Sequence, residues 1–306
     1  MTPSLHLPVA IGDALTVMEQ ARVCAKTVSL ERDLHEVVTR HHDLFAARPL
    51  DAALVSSIAM SVAFTAPEYA GDQLRLTART VLWVFAADWQ FDHLAQTDDD
   101  VQVLVASCIA AANGNPCDDD GHPLALLLAE IRDELVSAPA FEAMGPMWRN
   151  EIERMVTAMA QEWRWTIAFQ APPDLRRVAP TLDEYVANAD NAGGVLVSVT
   201  HWTQLGDQNC LDHVDDLRAA SREVQRAIRL INDLATYERD LRWGDLNALM
   251  LVSKTEVTAR LNAVIESCHD LIEPLETTCP RQAVFLRRQL SFTAGFYQVS
   301  DFWGSL

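Results

Sequence analysis

The chain has 306 residues, 49% of them hydrophobic, and 24 Lys+Arg against 43 Asp+Glu, a net charge of −19. This length and apolar content allow one large core or two small ones and exclude global disorder. The acidic balance argues against a nucleic-acid partner, which needs a cationic footprint, and a diphosphate ligand would require metal ions between itself and the protein.

In chain order, helical periodicity predicts helices over 13–46, 51–62, 72–95, 98–112, 124–137, 140–169, 181–206, 212–241, 245–252, 255–276 and 281–302. Breaks fall at Pro49, at 67–71, at 113–123, and at Pro139, Pro172-Pro173, Pro180 and Pro280, where a helix must stop or start. The one Asn-Gly pair, Asn113-Gly114, sits in a loop, and no hairpin pattern of alternating β-branched residues surrounds it. No break has the length or bias of a domain linker, so the expectation is one all-α domain over 1–306. Six cysteines, at 24, 108, 117, 210, 268 and 279, form no CxxC and read as reduced thiols. The N-terminal Met1-Thr2-Pro3-Ser4-Leu5-His6 has no basic stretch leading into an apolar one, and no apolar run approaches the roughly 18 residues of a membrane span. A soluble cytoplasmic protein without stable membrane insertion is expected.

Two stretches carry chemistry. The helix over 74–95 is apolar on too many faces for a surface helix and belongs near the centre, yet it holds Asp88 and Asp92 four residues apart on one face. Buried carboxylates need cations; the alternative is that they mark an exposed helix end, close to the Asp98-Asp99-Asp100 cluster of a helix start. The second stretch is Asn232-Asp233-Leu234-Ala235-Thr236-Tyr237-Glu238-Arg239-Asp240. Asn232, Thr236 and Asp240 stack an amide oxygen, a hydroxyl and a carboxylate along one face over about 12 Å, a donor set suited to Mg²⁺ or to an ordinary solvated helix face. The Gly193-Gly194 pair fits either a local unwinding or a close helix contact.

Together these motifs resemble the class I terpene synthases, above all the bacterial diterpene synthases of the labdane-related kind. That family's DDxxD motif matches Asp88 and Asp92, with Trp89 in place of the second Asp. Its (N/D)DxxSxxxE motif matches Asn232, Thr236 and Asp240, with Asp for the commoner Glu, about 140 residues further on. The resemblance implies an α-helical bundle around a central cavity. There Mg²⁺, three ions with Mn²⁺ as a substitute, would ionise a prenyl diphosphate, and the resulting carbocation would cyclise or rearrange. It implies Arg229, Arg239 and Tyr297 as diphosphate contacts. It also implies a cavity lining drawn from Phe64, Trp83, Phe85, Trp89, Phe91, Asn188, Gly193, Gly194 and Trp202. The family's diphosphate-sensing Arg is missing after Tyr185, but the Tyr185-x-x-Asn188 spacing is similar to the labdane-related branch. That points to a C20 substrate, copalyl-type or geranylgeranyl diphosphate, with farnesyl diphosphate or a non-catalytic prenyl-ligand-binding role as alternatives. A homodimer is common in such families. A chain-elongating transferase would show a second DDxxD, and a di-iron bundle would show Glu-x-x-His pairs on facing helices, of which Glu266 with His269 supplies only one. His201, beside Trp202, reads as a hydrogen-bonded core histidine.

Overall fold

The computed structural model describes residues 17–115, 121–170 and 179–304, and among them there are α-helices, short 3₁₀ and π turns, and no strand. The helices are α1 (Val17–Arg40), α2 (Ala52–Thr65), α3 (Arg75–Trp89), α4 (Asp98–Ala112), α5 (Pro123–Leu135), α6 (Phe141–Gln170) and α7 (Leu182–Ala187). They continue with α8 (Gly194–Leu205), α9 (Gln208–Asp212), α10 (Val214–Trp243), α11 (Ala248–Leu251), α12 (Lys254–Ile272), α13 (Leu275–Thr278) and α14 (Pro280–Phe296). The expected start of the first helix at 13, the Pro172-Pro173 break and Cys117 lie outside the described residues. No described helix is long and apolar enough to cross a membrane.

The apolar helix α3 is central, packed against α1, α2, α5 and α8. Its Trp83 is fully buried and its indole N–H, which needs an acceptor there, donates to the Leu124 carbonyl at 2.9 Å. Trp83, Trp148 and Trp202 are the largest fully buried side chains, each contributing roughly 1.5–3 kcal/mol of apolar burial. Facing α3 across the bundle, the 30-residue α10 packs against α8, α12 and α14.

Several expected helices divide, and each division has a local cause. The segment predicted over 72–95 ends α3 at Trp89 and continues as a π turn, Gln90–Leu94, closed by the Ala95 N–H on the Gln90 carbonyl at 3.0 Å. The wider turn carries Asp92, and such turns are frequent at functional sites. The segment 181–206 splits into α7, a 3₁₀ turn over Ala189–Ala192 and α8, because Gly193 adopts a left-handed φ of +68°. A Cβ at Gly193 would stand 2.8 Å from both Val84 methyls, so close approach and unwinding coincide at this one residue. At the end of α10, Gly244 (φ +88°) turns the chain, and Asp245 and Leu246 fall in a loop rather than beginning a helix at 245. Thr97 caps α4 in a capping box with Asp100, so Asp98, Asp99 and Asp100 fill its first turn, where the helix dipole favours acids. Finally, α14 stops at Phe296, well short of 302, and the chain folds back on itself beyond it.

Candidate active site

One face of α3 and one face of α10, with parts of α2, α6, α8 and α14 between them, line a cavity of about 240 Å³. From α3 and its π turn it is lined by Thr77, Val81, Val84, Phe85, Asp88 and Asp92, which recur at helical spacing. Eleven residues separate Thr77 from Asp88, about 16 Å along the helix axis at 1.5 Å per residue. The deep end is lined mainly by Val62, Thr65, Val197, Phe285 and Phe292, and the other end by Asp88, Asp92, Arg229, Asn232, Arg239, Asp240 and Asp245. An apolar chamber therefore meets an acidic mouth.

The two sequence motifs face each other across this mouth. Among the described residues, neither Asp88 nor Asp92 has a hydrogen-bonding or ion-pair partner. Loss of hydration and the nearby Glu162 push the Asp88 carboxyl up to about 7, and burial with the Asp88 charge pushes Asp92 well above the carboxylate range. Burial and the charges of Asp88 and Asp240 push Asp245 up to about 8. Carboxylates this reluctant to ionise alone are fitted to a cation.

On the opposite wall, the Thr236 hydroxyl lies 2.8 Å from Asp240 Oδ2 and 2.8 Å from the Asn232 carbonyl. Asn232 donates through Nδ2 to the Tyr297 hydroxyl at 2.7 Å, which leaves its amide oxygen on the motif side, 3.5 Å from the Thr236 hydroxyl. Asn247 Nδ2 donates to Asp240 Oδ2 at 2.8 Å, fixing that carboxylate from the loop after Gly244. Among the described residues no three His, Cys, Asp or Glu side chains gather closely enough to chelate an ion unaided. The donors are instead split between two walls, with an amide and a hydroxyl among them. A hard divalent cation taking one or two carboxylates and completing its shell from water and a ligand phosphate fits that set.

The arginines are held by acids. Arg229 forks onto Glu162, with Nη1 at 2.7 Å from Oε2 and Nη2 on Oε1, and its Nε donates to the Tyr185 hydroxyl at 3.0 Å. Tyr185 in turn donates toward Asp233 Oδ1 at 3.0 Å, and Asn191 donates to Glu162 from the 3₁₀ turn before Gly193. Arg239 uses Nε and Nη2 on Asp240 Oδ1 (3.0 and 2.8 Å) and Nη1 on both oxygens of Asp301 (2.7 and 2.5 Å).

Of the residues singled out in the sequence, Asp88, Asp92, Arg229, Asn232, Arg239, Asp240, Tyr297, Phe85 and Gly194 lie on the cavity wall. Thr236 stands just behind it, hydrogen-bonded to two of them. The remaining lining candidates stand off the wall. Trp83 is on the face of α3 turned away from Thr77, Phe85 and Asp88, Phe91 lies in the π turn, and both are fully buried in the core, as is Trp202. Trp89 packs outside the chamber against His93, Trp243 and Trp303. Phe64 packs on Phe292 at 5.5 Å, Asn188 donates to the Ala158 carbonyl at 2.9 Å, and Gly193 is pressed against Val84. His201 is a buried core residue, stacked on Phe285 at 4.4 Å and 3.1 Å from the Thr77 hydroxyl, and burial lowers it to about 3.

Sequence reasoning passed over Glu162, Asp245, Trp243, Phe302 and Trp303, all of which line the cavity. Asp245 had a signal, since it follows Gly244 five residues after Asp240, where a left-handed cap returns the chain toward the motif.

The profile of terpene synthase family 2, C-terminal metal binding, matches residues 79–277, a span that contains both motifs. The chain is 26% identical over 292 residues to ent-pimara-9(11),15-diene synthase from Streptomyces sp. (strain KO-3988), covering 93% of this chain and 94% of that protein. Among solved structures it is similar to linalool/nerolidol synthase from Streptomyces clavuligerus in complex with 2-fluorogeranyl diphosphate. That likeness has a TM-score of 0.70 at 15% identity and covers 95% of this chain and 98% of the other. It is also similar to 2-methylisoborneol synthase from Streptomyces coelicolor A3(2) in complex with Mg²⁺ and 2-fluoroneryl diphosphate, with a TM-score of 0.69 at 15% identity over 92% and 94% of the two chains. With about two thirds of its length matched by the family profile, the chain belongs to the bacterial class I terpene synthases.

Proposed function

We propose that this enzyme is a Mg²⁺-dependent diterpene synthase that ionises a C20 prenyl diphosphate, copalyl-type or geranylgeranyl, and cyclises or rearranges the resulting carbocation. The observation that carries the reading is the pair of unpartnered carboxylates, Asp88 and Asp92, facing Asn232 and Asp240, with Thr236 hydrogen-bonded just behind these two, at the mouth of an apolar chamber. The relative named for a diterpene product, alignable over nearly the whole chain, supports the C20 assignment.

Asp88 and Asp92 on one wall and Asn232, Thr236 and Asp240 on the other would hold the metal. When bound, Mg²⁺, three ions in the full complex, supplies Lewis-acid neutralisation of the diphosphate oxygens and makes diphosphate a leaving group. The protein's own part begins with orientation. Asn247 and Arg239 fix the Asp240 carboxylate, and Tyr297 turns the Asn232 amide so that its oxygen faces the motif. Arg229 and Arg239 offer guanidinium charge on the diphosphate side, where charge-assisted hydrogen bonds are strong. The C–O bond breaks with its electron pair leaving on diphosphate, and an allylic cation remains in the chamber. Phe85, Phe285, Phe292 and Phe302 present ring faces and edges there, and their quadrupoles stabilise a cation without attacking it. Exclusion of water by the same walls protects the cation from capture.

Incubation with Mg²⁺ and, in turn, copalyl, geranylgeranyl and farnesyl diphosphates, followed by product analysis by gas chromatography and mass spectrometry, tests the reading. C20 hydrocarbons are expected. Turnover of farnesyl diphosphate alone would overturn the chain-length assignment, and no turnover of any would overturn the synthase assignment.

A further inference from the structure

Beyond the end of α14 the chain does not trail away. The Val299 and Ser300 N–H groups close on the Phe296 carbonyl at 3.0 and 2.8 Å, and the Trp303 N–H closes on Asp301 Oδ1 at 3.1 Å. These two tight turns return the chain to the mouth of the cavity. Val299, at the apex, is 85% exposed, whereas Trp303 is only 8% exposed although it lies near the last described residue.

Returned this way, Phe302 and Trp303 become part of the chamber wall. Phe302 stands 4.5 Å from Phe296 and 5.3 Å from Phe85, ring centre to ring centre. Trp303 stands 5.2 Å from Phe85, 5.9 Å from Trp89 and 6.2 Å from Trp243. Separations of this size are those at which aromatic pairs attract. Phe85 shares its helix face with Asp88, so the two tail rings sit where the acidic mouth meets the apolar chamber. Trp89, the residue standing at the second position of the aspartate motif, supplies the outer support for Trp303 instead of a carboxylate. Asp301 fastens the arrangement, because Arg239 Nη1 donates to both of its oxygens while Nε and Nη2 of the same guanidinium hold Asp240.

We infer that Phe302 and Trp303 are specificity-determining residues of the reaction: the tail carrying them closes the mouth with an aromatic wall, and Asp301 on Arg239 is its latch. The inference rests on the proposed ionisation chemistry and adds a consequence to it. A cation formed beside an intact wall loses a proton, its C–H electron pair closing a C=C bond and the proton passing to the departing diphosphate. A cation formed beside an open wall meets water, whose oxygen bonds to carbon and whose surplus proton leaves to solvent, giving an alcohol.

The experiment compares wild type, Asp301→Asn, Trp303→Leu and, as a control on the exposed turn, Val299→Ala. Each is incubated with Mg²⁺ and in turn with copalyl, geranylgeranyl and farnesyl diphosphates. Diphosphate release and the alcohol-to-hydrocarbon ratio are both read, and limited proteolysis of the tail is followed separately without substrate. Asp301→Asn removes a charge-assisted bond and is expected to raise tail cleavage roughly tenfold. Asp301→Asn and Trp303→Leu are both expected to raise the alcohol share while diphosphate release stays within a few-fold of wild type, and Val299→Ala to change neither. An unchanged alcohol share in both tail variants beside an active wild type overturns this inference alone. A wild type that turns over none of the three diphosphates overturns the functional reading and this inference with it.

Discussion

Replacing Gly193 by Ala separates the two demands that the α7–α8 break makes on that residue. The first is conformational: φ is +68°, a left-handed geometry costing an L side chain about 1–2 kcal/mol. The second is steric: the added Cβ would lie 2.8 Å from both Val84 methyls and 3.2 Å from Met155 Sδ, and overpacking of this kind costs about 1–3 kcal/mol. The sum is about 2–5 kcal/mol of lost stability, a fall of several degrees in Tm for a chain of this size. The adjacent Gly194→Ala is the internal control. The nearest atoms its Cβ would meet are those of Gln225, at 3.5 Å or beyond, its φ is not left-handed, and it opens α8, so Ala there should be neutral or stabilise by about 0.4–1 kcal/mol. Adding Val84→Ala to Gly193→Ala should recover the Val84 share of the steric part and leave the conformational part and the Met155 contact, a coupling that a double-mutant cycle isolates. Thermal and urea unfolding followed by circular dichroism provide the measurement. Equal effects at Gly193 and Gly194, or no coupling to Val84, would refute the reasoning.

Three further outcomes are expected. Burial holds the folded-state carboxyls of Asp88 and Asp233 at about 7 and of Asp245 at about 8, so unfolding releases their protons and stability falls as pH rises from the ordinary carboxylate range through those values. Buried His201, lowered to about 3, acts in the opposite sense below its ordinary 6.5; the Tm without metal should therefore fall from pH 6.5 to 8, and a rise over that window would contradict the assignment. Trp83→Phe should cost about 1 kcal/mol or more through the lost hydrogen bond to Leu124 and leave the product spectrum intact, whereas Phe85→Ala should redistribute products; gas chromatography of both variants decides. Asp240→Glu should keep part of the turnover and Asp240→Asn lose most of it, because the donor is the charged carboxylate whose Oδ2 is held by Asn247 and whose Oδ1 is held by Arg239; the reverse order would remove Asp240 from the ligand set.

How much of this was legible in the chain follows from how local each feature is. Asn232, Thr236 and Asp240 sit at i, i+4 on the single helix α10, so their shared face was fixed by the helical period alone; Asp88 and Asp92 show the same spacing, which keeps both on the cavity wall although Asp92 falls in the π turn that follows α3. The helical class and most breaks were legible for the same reason, through prolines and apolar periodicity. Trp83, Phe91 and Trp202 were not assignable to wall or core, since an apolar helix buried on every side gives no sign of which side faces a cavity. The pairing of Arg229 with Glu162 joins residues 67 positions apart, and that of Arg239 with Asp301 joins residues 62 apart, so no sequence window contains either. The reversal after Phe296 was missed because the aromatic pair Phe302-Trp303 continues the apolar pattern of α14 while the backbone leaves the helix.

The central claim is that Asp88 and Asn232, on opposite walls, jointly serve metal-dependent ionisation. Its most direct test is diphosphate release from geranylgeranyl and copalyl diphosphates, with and without Mg²⁺, by wild type, Asp88→Ala and Asn232→Ala. Release should require Mg²⁺ in the wild type and be abolished in both variants while their helical circular dichroism remains intact. Full release by either variant, or wild-type release that persists after chelation of divalent ions, would contradict it.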